Sequence, residues 1–237
     1  MAITLLDLRT QARQRADQEH SQLVSDSELT RYINEGYAEL YDLLVAKFED
    51  YYVLPPVAFT ISGSTSDNTK CRYALPADFY KLRGLDMAVD GGTATNAQFW
   101  IALKPFTFNN RNRFGVIRRR TLMPVVRYRI YGNSLYFEPE NVCDGTYRMF
   151  YTPTLTLLTA DTDPANVGNG WEQYIVLDAA IKMLQKEESD PTIFIQQKMD
   201  MRQRIEDMAA NRDEGENERI SDTVYDYDDE FYLTNWR

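Results

Sequence analysis

The chain of 237 residues has one histidine and two cysteines. That scarcity excludes most of the chemistry these residue types carry. His20 sits in the polar stretch DQEHSQ, with nothing nearby to complete a Ser-His-Asp triad or a histidine-rich metal site. It reads as a surface residue. Cys71 and Cys143 are far apart and neither belongs to a CxxC. This argues against a disulfide scaffold or a thiolate metal centre, and two separate buried thiols are expected. The glycine-rich phosphate loop, the dinucleotide fingerprint, HExxH and GxSxG are all missing. Glu187-Glu188, or Glu138 with Glu140, could be cast as acid and base. Exposed helix and turn charges explain them more simply. No catalytic residue, metal ligand or cofactor is expected. An enzyme reading, such as a cell-wall hydrolase, has no residue to nominate.

Long apolar runs are also absent. Nothing approaches the ~18–20 residues that a membrane span requires, so no membrane partner is expected. The opening MAITLLDLRTQARQRAD turns polar after Leu8, and no leader is expected from it. An excess of positive charge is lacking too. The net charge is -10 and the pI about 4.7, so the overall field repels phosphate groups. One segment reverses that sign. Lys104, Arg111, Arg113, Arg118, Arg119, Arg120, Arg127 and Arg129 span 26 residues without one Asp or Glu, leaving the rest of the chain at -18. Three readings stand open: solvated arginines partly paired with the acidic remainder, a surface that meets an acidic protein, or a wall along a path of DNA. Phe106, Phe108 and Phe114 interleave with the arginines, as in single-strand binders. A β-rich segment also needs such rings for its own core.

What is present is enough for a core. The hydrophobic fraction is 43%, and the length suits one large domain or two small ones. Residues 1–50 read as two helices. Thr4 and Asp7 open the first, with Leu5, Leu8, Ala12 and Ala16 on one face. SDSE, Ser25 to Glu28, is a capping box for the second, followed by Leu29, Tyr32, Ile33, Gly36, Tyr37, Leu40 and Leu44 at helical spacing. Gly36 there costs about 1 kcal/mol against Ala, so it suggests a close helix contact. From YYVLPPV onward the period changes to short runs: VAFTI, CRYALP, FYKLRGLDMAV and GTYRMFYTP. VRYRIYGNSLYFEP is a hairpin about Gly132-Asn133. WEQYIVLDAAIKMLQ is apolar nearly all round, the mark of a centrally packed helix. Asp190 then caps a charged amphipathic helix ending near Gly215.

The fold class expected is α+β. A discontinuous helical bundle forms from 1–50 and 171–215, with a β-rich barrel or sandwich inserted at 51–158. Residues 159–170 are a loop and 216–237 an extended docking tail.

The end of the chain, SDTVYDYDDEFYLTNWR, is acidic, rich in rings and free of Pro and Gly. Ordering its seventeen residues costs ~17–34 kcal/mol in backbone entropy. Burying Tyr225, Tyr227, Phe231, Tyr232 and Trp236 returns about 4–6 kcal/mol each, and Leu233 about 2. The two sides balance only if nearly every ring is covered. Fully extended, the segment reaches ~55–60 Å. A hook docked on a partner chain is expected, with acidic residues steering it to a basic surface. Folding back over its own domain is the alternative.

Three stretches carry a resemblance: LLDLRTQARQRAD…VSDSELTRYINEGYAELYDLLV, YALPADFYKLRGLD, and WEQYIVLDAAIKMLQKEESD…RIEDMAANRDEG. Together they resemble tailed-bacteriophage head-to-tail adaptors, and the layout is similar to the tail tubular protein A type. The resemblance implies a non-enzymatic virion protein at the head–tail interface. It would form a ring, dodecameric in such adaptors, seated under the portal and continuing the DNA channel. Its partners would be further copies of itself, the portal, a tail or nozzle protein, and passing double-stranded DNA. The positions implied for portal binding are Tyr225 to Trp236. A tail-tube or minor tail component is the related alternative. A DNA-binding module using the arginine segment is the alternative of a different class.

Overall fold

The computed structural model describes residues 3–20, 23–48, 50–62, 71–88, 99–111, 126–139, 143–167 and 170–211. These residues form four helices and seven strands: α1 (Leu5–Arg15), α2 (Asp26–Lys47), β1 (Val57–Ile61), β2 (Arg72–Ala74), β3 (Phe79–Ala88), β4 (Trp100–Ala102), β5 (Arg127–Tyr131), β6 (Ser134–Glu138), β7 (Gly145–Pro153), α3 (Glu172–Lys186) and α4 (Thr192–Ala210). They divide into two units. Met1–Tyr52 and Leu155–Glu216 contribute the helices, and Val53–Thr154 contributes the strands.

Local chemistry sets the helix starts. Thr4 and Asp7 exchange both bonds of a capping box at 3.3 and 3.0 Å. At α2 only half of the expected box forms. Ser25 accepts from the Glu28 amide at 3.3 Å, but the Glu28 carboxylate is engaged by Tyr32 and Lys186 instead. Before α4 the cap position falls on Pro191 rather than Asp190. Asp190 still supplies the acceptor, taking the Thr192 amide at 3.0 Å. The helix runs to Ala210, and Gly215 lies outside the described residues.

The helices share one core, in which Leu8, Ile33, Leu40, Tyr174, Met183 and Ile205 are essentially buried. α3 is covered on nearly every side, as its uninterrupted apolar sequence requires. Gly36 of α2 lies where a Cβ would stand 2.9 Å from Asp178 Oδ2 on α3, so a side chain there would collide. The loop after the β unit returns to the start of α1. Leu5 and Leu6 donate their amides to Asp163 and Asp161 carbonyls at 3.0 and 3.1 Å.

The β unit holds two antiparallel sheets, ordered β1-β7-β3-β4 and β2-β6-β5. Gly132, with φ of +54°, turns the β5–β6 hairpin, in which Tyr131 faces Ser134 across the ladder. β4 was not anticipated. It is three residues long, too short for an alternation signal, and it exists because it pairs with the end of β3. The chain leaving β4 joins the second sheet, where Phe106 N donates to Tyr128 O at 3.0 Å. Alternate residues fill one core: Phe59, Leu85, Leu135, Phe137, Tyr147 and Met149. The cysteine expectation is corrected here. Both are buried, but Cys71 and Cys143 form a disulfide with Cα atoms 5.6 Å apart. The two cysteines, 72 positions apart in the chain, are brought together by strand pairing, which spacing alone does not reveal.

Candidate interaction surfaces

β-strand alternation separates two faces of the β2-β6-β5 sheet. Leu135 and Phe137 turn into the core, so Tyr136 shares the opposite face with its register partners Arg72 and Arg129. The result is an Arg–Tyr–Arg row across three strands. The Arg72 guanidinium lies 4.2 Å from the Tyr136 ring centre. Tyr131 packs edge-on against Tyr136 at 4.6 Å and against Phe108 at 6.0 Å. Arg111 covers the Phe108 ring at 4.4 Å and donates to the Phe108 carbonyl at 3.1 Å. Arg129 donates to the Phe106 carbonyl at 2.9 Å. Rings and guanidiniums thus form one path from Arg72 to Arg111, and Phe108 in it is 51% exposed.

Three residues of the arginine segment come together here: Arg111, Arg129 and Arg127, which faces Glu138 across the ladder. Phe106 is a core ring. Arg113, Arg118, Arg119, Arg120 and Phe114 lie outside the described residues, as do Tyr225, Tyr227, Phe231, Tyr232, Leu233 and Trp236 of the tail. Sequence reading missed Arg72, Tyr131 and Tyr136. The signal for the tyrosines was present in RYRIYGNSLYFE, where alternate positions are Arg, Arg and Tyr. Arg72 is brought in by pairing alone.

A second guanidinium–ring contact sits on the four-stranded sheet. Arg148 pairs with Asp86 at 2.7 Å and lies 4.4 Å from the Trp100 ring centre. In the helical unit charges pair across the helices around the buried Asp178. Asp178 takes Lys198 at 2.8 Å and Lys182 at 2.9 Å, and these lysines reach Glu39 and Glu35, each at 2.7 Å. Burial works against the charged lysines, but the carboxylates outweigh it and raise both pKa values. Burial, with the hydrogen bond to Glu39, pushes Tyr174 far above the ordinary tyrosine value. An open groove of about 730 Å³ lies between α2 and residues 157–159, lined by Arg9, Thr30, Asn34 and Leu157. His20, Glu187 and Glu188 are exposed. Among the described residues no group of three His, Cys, Asp or Glu could hold a metal ion. No helix among them is long and apolar enough to cross a membrane.

A family model described as SU10 adaptor protein matches residues 3–223. The chain belongs to the SU10 adaptor protein family. Membership makes it a structural adaptor protein of a bacteriophage. No curated protein matches the chain significantly. The family match runs through both units of this adaptor and into the first residues of the C-terminal segment, so neither unit stands outside the family.

Proposed function

We propose that the chain is the ring-forming subunit that joins the portal of a phage head to its tail and continues the DNA channel between them. The family match over residues 3–223 carries this reading. The distribution of charge supports it. Residues 53–154 hold 13 Lys and Arg against 7 Asp and Glu, inside a chain of net charge -10. Opposite signs on different parts of one subunit favour ordered contact between copies and neighbours. The wholly acidic balance elsewhere suits a conduit that must not grip phosphates.

In this reading the discontinuous helical bundle makes the ring. The inserted β unit faces the tail or the outside, where the nozzle or another tail protein meets it. Tyr225, Tyr227, Phe231, Tyr232, Leu233 and Trp236 anchor the ring to the portal at the head–tail interface. The chain performs no catalysis and requires no cofactor. Deleting Ser221–Arg237 tests the anchor. The shortened subunit is expected to fold with an unchanged melting midpoint and to lose attachment to portal-containing particles. Attachment at the wild-type level would overturn it.

A further inference from the structure

The cationic ring path on the β2-β6-β5 sheet has no role in the reading above. We propose that it receives the C-terminal segment Ser221–Arg237 of a second copy of this chain. The first argument is the state of the rings. One face of the Phe108 ring is taken by Arg111 and one face of the Tyr136 ring by Arg72, at 4.4 and 4.2 Å. A ring face taken by a guanidinium is not open to a stacked nucleic-acid base. A guanidinium lying on a ring keeps its N–H donors in its own plane, where a carboxylate binds two of them at once.

The second argument is complementarity. Residues 53–154 carry a net +6, from 13 basic and 7 acidic residues, whereas Ser221–Arg237 holds five acids and one arginine. The order of those residues matters as much as their number. In an extended strand alternate side chains take opposite faces. Asp226, Asp228 and Glu230 then share one face with Tyr232 and Trp236, and Tyr225, Tyr227, Asp229, Phe231 and Leu233 take the other. The acidic face matches the guanidiniums of Arg72, Arg129 and Arg111. The ring face stays outward for the portal. Tyr225, Tyr227, Phe231 and Leu233 remain for the portal contact, whereas Tyr232 and Trp236 lie on the face turned to the arginines. The identity of the second copy rests on the ring reading proposed above.

The test is a titration of a labelled synthetic peptide, Ser221–Arg237, into the full chain, followed by fluorescence anisotropy. Saturable binding is expected, weakened several-fold as salt rises from about 50 to 300 mM. R72E/R111E is expected to weaken it at least tenfold with the melting midpoint unchanged, since both arginines are exposed. The peptide carrying D226N, D228N and E230Q is expected to lose as much. Y225A/Y227A is expected to bind within about twofold of wild type. No binding to the full chain, or equal binding to R72E/R111E, would overturn the proposal. So would displacement by a DNA duplex at lower concentration than by unlabelled peptide, because the face would then be a nucleic-acid surface. No portal is present in this titration, so a failure of portal attachment leaves its outcome untouched.

Discussion

At the residue scale the helical unit turns on one close approach, Gly36 against Asp178. Asp178 is 6% exposed and holds two lysines from different helices. A buried ion network of this kind adds little net stability against an apolar replacement, but breaking it leaves charges without a partner. It fixes which turn of α2 meets which turn of α3. Gly36→Ala gains about 1 kcal/mol of helix propensity. It also places a Cβ 2.9 Å from Asp178 Oδ2 and 3.2 Å from Asp178 Cβ. Overpacking costs about 1–3 kcal/mol. The variant is therefore expected to be less stable by about 1 kcal/mol in urea denaturation, the reverse of the usual result for an exposed helix glycine. A more stable Gly36→Ala would show that Asp178 yields freely and that the network is not what sets the register. Gly36 was legible as a contact point because glycine is costly inside a helix. Its partner was not, although one acid amid YIVLDAAI on a buried helix already demands cations from a neighbouring element.

At the scale of elements, α2, α3 and α4 are laced by groups whose protonated forms the fold prefers. Burial and the Glu39 hydrogen bond raise Tyr174. Burial opposes charged Lys198 and Lys182, yet their carboxylate partners raise both. A group whose folded pKa lies above its unfolded value contributes fully below the unfolded value and loses that contribution as pH rises towards the folded one. The melting midpoint of the helical unit is therefore expected to hold between about pH 7 and 9.5 and to fall steeply above about pH 10. Tyr174→Phe should fall less steeply. A flat midpoint up to pH 11 in circular dichroism would refute the coupling. The elements themselves differed in how far sequence revealed them. α2, α3 and the β5–β6 hairpin rest on local signals: an N-cap serine, a continuous apolar run, and Gly132 at a turn. β4 and the Cys71–Cys143 bond rest on pairing between distant segments, for which the local sequence holds no cue. The arginine face lies between those cases. Arg127 and Arg129 could be placed on one side of a strand by alternation, but Arg72 joins them only through β6.

At the scale of the whole molecule, the chain enters and leaves the β unit at one place. Leu54 N donates to Tyr151 O at 3.3 Å, three residues before the unit ends at Thr154. Adjacent ends are what an insertion needs, because the host then closes over a short gap. The β unit also has its own core and its own disulfide. A fragment of residues 53–154 is accordingly expected to fold alone and to unfold cooperatively. Its disulfide closes a separation of 72 residues. Such a bond is worth about 2–4 kcal/mol, chiefly by restricting the unfolded chain. Reductant should therefore lower the fragment's stability by that amount, and within the full chain it should lower only the transition assigned to the strands. Gly36→Ala should lower only the other. A fragment without near-ultraviolet dichroism, or a reductant effect spread over both transitions, would mean that the strands depend on the helices for their fold. The β unit could then not present its arginine face independently of the helices.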